Sequence, residues 1–292
     1  MEYALHLGIL ICIYTILGQS LSLVAGYSGQ ISLAHAGFYG IGAYTTALLS
    51  VNYGLPIIVN LPAALLLSGV IAYLVSKVAV RTIDDYYIII TLGIQVVIFS
   101  IMNNWQEVTR GPLGIPGIPS ISIFGFSFDS NLSFLILSIV CAGLVWYLLH
   151  NLSNSPFGRV LSALSEDEVF TKSLGKDVNS AKVVSFVISG MLAAIAGVLY
   201  AHYISYIDPS SFTVEESIFI LSITIIGGMR NLTGIFFAAA FLVLLPEALR
   251  FLGMPSNIAA NMRQIFYGVA LIVVIYYYGL QKSRAERPEV AK

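Results

Sequence analysis

Few side chains in this sequence can do chemistry within its long apolar runs. Glu247 and Arg250 stand three residues apart in one such run. That spacing suits an interfacial ion pair better than a proton relay. His35 is the other titratable group set deep in an apolar segment. Tyr87, Thr91 and Gln95 recur every four residues, which aligns them as a polar strip on one helix face. Such a strip in a membrane segment faces a protein interior or a solute pathway. No His/Asp/Glu cluster at metal-ligand spacing occurs in the apolar runs, so a membrane-embedded enzyme is disfavoured. No G-x-x-x-x-G-K-[ST] phosphate loop occurs either; "SLGKDV" has the Gly-Lys pair without the loop before it. The chain is expected to hold no cofactor and to bind no ATP by that route. Ion-coupled carriers keep several ionisable groups at membrane depth. Their scarcity here suits a solute whose charges cancel, moved by energy supplied elsewhere.

The longest hydrophilic stretch between apolar runs, Asn151–Lys182, carries a different pattern. Pro156 and Gly158 break the chain, and Arg159–Leu174 then reads as one short amphipathic helix. Val160, Leu161, Leu164, Val169 and Phe170 offer apolar contacts. Glu166, Asp167 and Glu168 form an acidic cluster, and Gly175 is a C-terminal cap. Apolar anchors with a charged rim suit a helix seated in a partner's groove. A helix lying on lipid is the other reading, but such helices favour a basic polar face.

The elements that must position these groups are membrane helices. Of 292 residues, 58% are hydrophobic and only 10% charged, against about a quarter charged in soluble domains. With a net charge of −1, the chain has no electrostatic footprint for nucleic acid. Runs of about 20 apolar residues each suffice to cross a bilayer core of about 30 Å. Nine segments are expected, near 3–25, 32–53, 57–78, 86–104, 132–150, 183–204, 214–229, 234–252 and 263–281, giving an all-α, polytopic bundle in one domain over 1–292. The first run begins almost at Met1 and is long enough to span, unlike a short cleavable signal peptide. With the N-terminus outside, 11 basic residues fall inside (Lys77, Arg81, Arg159, Lys172, Lys176, Lys182, Arg230, Lys282, Arg284, Arg287, Lys292) and three outside (Arg110, Arg250, Arg263). The positive-inside rule selects that orientation, with a cytoplasmic C-terminus and a cytoplasmic 151–182 loop. The seventh segment is the shortest and counts as a crossing. Cys12 and Cys141 both lie in apolar runs and are expected as packed free thiols.

One segment departs from the apolar pattern: "GYSGQISLAHAGFYGIGAYTTALL", Gly26–Leu49. Gly29, Gln30 and their neighbours leave too many polar backbone groups for lipid, so this turn belongs at the cytoplasmic face or against protein. On the helix after it, Ser32, Ala36, Gly40, Ala43 and Ala47 form a stripe of small residues suited to close helix packing. His35, Tyr39, Gly42 and Thr46 form a neighbouring stripe, either packed with His35 bonded to a neighbour or lining a pathway. Phe38, Ile41, Leu48 and Leu49 are expected to face lipid. Gly190, Ala194, Gly197 and Ala201 make a second small stripe. The turn "GGMRNLTG", Gly227–Gly234, faintly echoes the Gly26 turn, as internal repeats in transporters do. Outside, Thr109–Pro119 and Ser205–Ser217 are a candidate dock for a soluble partner, or plain connectors.

With "DYYIIITLG", "TRGPLGIPGIP", "SPFGRVLSALSEDEVFTKSLGKDVNSAKVVSFVISGMLAAIAGVLYA" and "IGGMRNLTG" added, the chain resembles the LivM-type permeases of branched-chain amino-acid ABC importers over roughly residues 8–281. It departs from them at Gln95, where the family often has Glu, at Asp84-Asp85, and at "YYYGL" in place of a basic "RPxGL" ending. The resemblance implies a transmembrane subunit in the plasma (inner) membrane, paired with a LivH-like permease. Two ABC ATPase subunits would bind the ATP, and an extracytoplasmic substrate-binding protein would deliver solute. It also implies that Arg159–Gly175 is the coupling helix. Urea or a short amide is the alternative solute, and an ion-coupled secondary amino-acid carrier the alternative of another class.

Overall fold

In the computed structural model, residues 2–80, 82, 85–123, 126–251, 268, 269 and 272 are described. Apart from those last three residues, the ninth expected segment, 263–281, lies outside what is described, as do the C-terminal basic residues and the Arg250 side chain. Helices dominate: α1 (Glu2–Ser22), α2 (His35–Tyr53), α3 (Ile57–Ala79), α4 (Asp85–Asn104), the single turn α5 (Gln106–Thr109), α6 (Asn131–Asn154), α7 (Pro156–Glu166), α8 (Glu168–Ser173), α9 (Val178–Ile204), α10 (Val214–Ile226) and α11 (Leu232–Phe251). Among the described residues, five helical stretches are long and apolar enough to cross a membrane: Glu2–Tyr27, Ile57–Ala79, Tyr86–Asn104, Asn131–Asn154 and Val178–Ile204. The exposed faces of α3, α4 and α6 carry Leu66, Val70, Ile89, Val97, Ile136 and Val140, as lipid-facing helices should.

α2 and α9 form the centre. Gly42 lies so close to α9 that an added Cβ would sit 2.4 Å from the Ala194 carbonyl oxygen, and one on Gly197 would sit 2.0 Å from that of Tyr39. Backbone meets backbone there, which is how membrane helices gain packing contacts when lipid is as apolar as they are. Gly40, by contrast, faces Met102 of α4 and Phe212 rather than α9.

The expected lipid face of α2 is overturned at Phe38 and Ile41, whereas Leu48 and Leu49 are half-buried. Phe38 is fully buried, its ring 5.4 Å from Phe186 in an edge-on contact, and Ile41 is buried too. α2 is wrapped by neighbours, so its apolar side meets protein instead of lipid. α10 has 13 residues, about 20 Å at 1.5 Å per residue, short of the ~30 Å core.

The connections gather at two ends. At one, the turn after α1 meets the turn before α11 and α7. At the other, strands β1 (Ile115–Pro116) and β4 (Tyr206–Ile207) pair antiparallel, with Ile115 opposite Ile207. The two outer stretches named as a joint dock are therefore physically joined there. A second short pair, β2 (Ser122–Ile123) with β3 (Phe126–Ser127), completes the described strands.

Candidate functional site

The last turn of α1 widens at Leu23–Tyr27: the Ser28 N–H reaches the Leu23 carbonyl at 3.2 Å and the Gln30 N–H reaches that of Val24 at 3.0 Å. Gly29 then takes φ +71, a left-handed conformation that strains any residue with a Cβ. From Ser28 to Ala34 the backbone is irregular, yet Ser28, Gln30, Ser32 and Ala34 are buried. Irregular backbone inside an apolar bundle must find protein partners. Here and in the first turn of α2 they include side chains of α4, of α10 and of the segment itself. The Leu33 N–H bonds Thr91 Oγ1 at 3.2 Å and the Ala34 N–H bonds Ser32 Oγ at 3.3 Å. In the first turn of α2, the Ala36 N–H donates to Ser217 Oγ of α10 at 3.0 Å, and the Gly37 N–H to Gln95 Oε1 of α4 at 2.6 Å.

Ala34, at the cap position of α2, has no polar side chain to offer. Gln95 and Ser217 therefore serve as caps supplied from other helices, satisfying donors a helix start leaves orphaned. The Gln95 amide is oriented by both contacts, because its Nε2 donates to the Phe212 carbonyl at 2.8 Å. Of the expected polar strip, Thr91 and Gln95 thus hold backbone. Tyr87 is buried with its ring edge-on to Phe186, and its hydroxyl has no hydrogen-bond partner among the described residues.

His35 sits beside this break, fully packed. Its Nε2 lies 3.1 Å from Ser189 Oγ of α9, and that hydroxyl also bonds the Ser20 carbonyl of α1. A carbonyl only accepts, so the Ser189 proton goes to Ser20 and His35 Nε2 must donate. His35 thereby ties α1, α2 and α9 together, and its Nδ1 has no hydrogen-bond partner among the described residues.

The hydrophilic loop is built differently from the expected single helix. Ser155 caps α7, its Oγ accepting the Gly158 N–H at 3.2 Å, with Pro156 in the first turn. α7 stops at Glu166 because Asp167 is extended (φ −152) and caps α8 through Oδ1, 2.8 Å from the Phe170 nitrogen. The run read as Arg159–Leu174 is therefore two helices with a corner between them. Leu161 and Leu164 (4% exposed) turn inward, whereas Val169 (79%), Phe170 (60%) and Leu174 (60%) stand outward. Glu168 pairs with Lys182 at 2.6 Å, tying α8 to α9. Gly175 follows α8 at φ +74, its N–H on the Lys172 carbonyl at 3.0 Å. Asp177 caps α9; the hydroxyl and N–H of Ser180 hold its carboxyl below the usual range. Arg159 is exposed, reaching only the Asn154 carbonyl at 3.4 Å. A cavity of about 650 Å³ opens between Gly29, Gln30, Tyr87, Leu164, Glu166, Glu168, Lys172 and Lys182.

Two residues in these networks carried no sequence signal as site residues: Ser189 and Ser217. Ser189 and Ser217 are single hydroxyls in helices.

A helical bundle with apolar outward faces and a broken, protein-capped segment at its centre defines an integral membrane protein. The family described as branched-chain amino acid transport system / permease component matches residues 3–275, and this chain belongs to it. It is similar to the high-affinity branched-chain amino acid transport system permease protein LivM of Salmonella typhimurium, with 35% identity over 82% of this chain and 61% of that protein. The LivM protein of Escherichia coli is 34% identical over the same shares. A probable LivM permease of Methanocaldococcus jannaschii is 26% identical over 73% of this chain and 65% of its own length. The chain thus spans about three fifths of the bacterial relatives. No solved structure matches.

Proposed function

We propose that this chain is the LivM-type subunit of an ATP-binding-cassette importer and forms part of the pathway for branched-chain, hydrophobic amino acids across the plasma (inner) membrane. The observation that carries the reading is the likeness to LivM permeases over 82% of the chain. In this reading the chain crosses nine times, with the N-terminus outside and the C-terminus cytoplasmic, as the distribution of Lys and Arg favours. It pairs with a LivH-like permease. An extracytoplasmic binding protein docks where β1 and β4 meet, and two ATPase subunits hydrolyse the ATP, so the chain itself is no enzyme. Alternating access would move solute past the broken α1–α2 segment.

The α7–α8 corner is the proposed coupling element. Its outward anchors are Val169, Phe170 and Leu174; Leu164, the anchor expected from the sequence, is inside and supports the loop instead. Burial of such anchors in a partner's groove is what gives a helix-in-groove contact its affinity. The test is uptake of radiolabelled leucine, with urea as comparison, by proteoliposomes holding this chain alone or with its partner subunits. Leucine uptake that needs ATP and the loaded binding protein is expected. Ion-driven uptake by this chain alone would establish the secondary-carrier reading instead.

A further inference from the structure

We infer that Arg230 is a transmission residue: a strut that carries movement of the α7–α8 corner into the broken segment between α1 and α2. The inference rests on the proposed importer and names how its coupling element reaches the bundle.

Arg230 stands in the turn between α10 and α11 and holds two separated pieces of chain, the end of α1 and the end of α7, against that turn. Its Nε donates to the Gly26 carbonyl at 2.9 Å, at the widened end of α1. Its Nη2 donates to Ser165 Oγ, near the end of α7. Its Nη1 lies 3.8 Å from Glu166 Oε1. That pair is long and exposed, so it adds little; the two hydrogen bonds carry the connection. The Arg230 carbonyl in turn accepts the Tyr27 hydroxyl at 3.1 Å. A planar guanidinium with fixed donor directions can hold Gly26 and Ser165 at once; an ammonium on a flexible stem cannot match that fork.

The surroundings leave no slack. A Cβ on Gly26 would fall 1.9 Å from the Met229 carbonyl oxygen, and one on Gly29 would fall 3.1 Å from Ser165 Cβ. The α1 turn is therefore pressed between the Arg230 turn and α7. A shift of α7 must move Ser165, and Ser165 is joined through one side chain to the carbonyl of Gly26. Two residues later begins the Ser28–Ala34 stretch, in which the Leu33 N–H rests on Thr91, and which leads into the first turn of α2, held by Ser217 and Gln95. The docking face at Val169 and Phe170 is separate from all these contacts, so the strut can be removed without touching it.

The experiment uses the full importer carrying Arg230→Ala, Arg230→Lys or Ser165→Ala. Subunit content, basal ATPase activity and ATPase stimulation by loaded binding protein are measured. Amide hydrogen exchange across Ser28–Ala34 is followed in the permease without ATPase. Arg230→Ala is expected to keep subunit content and basal hydrolysis, to lose stimulation by about fivefold or more, and to speed exchange in Ser28–Ala34. Arg230→Lys should recover only part of both losses, and Ser165→Ala should show a smaller loss in the same direction. Should Arg230→Ala fail to assemble, Ser165→Ala decides: reduced stimulation in an intact complex supports the strut, and wild-type stimulation overturns it. Normal exchange and normal stimulation in Arg230→Ala also overturn it. A wild-type complex with no response to loaded binding protein defeats the importer reading itself. In that event the exchange comparison still tests the mechanical link.

Discussion

Gln95 Oε1 lies 2.6 Å from the Gly37 nitrogen, so a side chain of α4 closes the start of α2 fifty-eight residues earlier in the chain. The same amide holds the Phe212 carbonyl at 2.8 Å. Gln95→Leu leaves both backbone groups without this partner, at about 1–3 kcal/mol for each buried group. A protonated Glu reproduces both contacts, whereas a carboxylate can only accept. The melting temperature is therefore expected to fall in the order wild type, Gln95→Glu, Gln95→Leu. Thermal unfolding of the purified permease in detergent reads this; equal melting of wild type and Gln95→Leu would show that the amide supports nothing.

The outward and inward apolar anchors of the proposed coupling corner should fail differently. Phe170→Asp places a charge on the exposed docking face and leaves the permease folded, so ATPase subunits are expected to be lost from the purified complex. Leu164→Asp buries a charge against protein, a cost of several kcal/mol, and should lower the amount of folded permease in the membrane. Copurification and membrane yield separate the two. A Phe170→Asp complex with full ATPase content would place the dock elsewhere.

Two glycines make opposite predictions for the same substitution. Gly42→Ala drives a Cβ to 2.4 Å from the Ala194 carbonyl oxygen, and neither backbone can yield cheaply. Separation of α2 from α9 and a melting temperature lower by several degrees are expected, since overpacking costs about 1–3 kcal/mol. Gly93 of α4 has nothing within 4 Å of its would-be Cβ. Gly93→Ala should be neutral or stabilising by up to about 1 kcal/mol, the helix-propensity difference. Melting curves of the two variants check both signs.

Orientation can be read with thiol reagents. Val169 and Leu113 are 79% and 82% exposed and lie at opposite ends of the bundle. In intact cells, an impermeant maleimide is expected to label Leu113→Cys and to miss Val169→Cys until the membrane is opened. Cys12 is buried and Cys141 half-buried, so their background is small. Labelling of Val169→Cys from outside would invert the proposed topology.

Scarcity of charge and the length of the apolar runs were enough to read an all-α membrane protein, and eight of the nine expected segments coincide with helices α1–α4, α6 and α9–α11. These are properties of consecutive residues, because spanning lipid is a demand each helix meets by itself. The small stripes were legible for the same reason, since only small residues let backbones touch. Which neighbour each stripe meets was not. Periodicity gave Phe38 a lipid face because apolar residues look alike whether they meet lipid or protein, and only the packing of α3, α4 and α9 around α2 decided the matter.

The 151–182 loop shows the limit most clearly. Its amphipathic pattern was visible, but one extended residue, Asp167, turns the chain and sends Leu164 inward and Phe170 outward. Gln95 capping α2, Ser189 tying His35 to α1, and Arg230 joining three loops each pair residues 58 or more positions apart. Local pattern carries the segments and their surfaces, since backbone hydrogen bonds and lipid contact act within a run. Long-range partners are set only when the helices close together, because a single buried donor finds its acceptor by position in space and leaves no periodic trace along the chain.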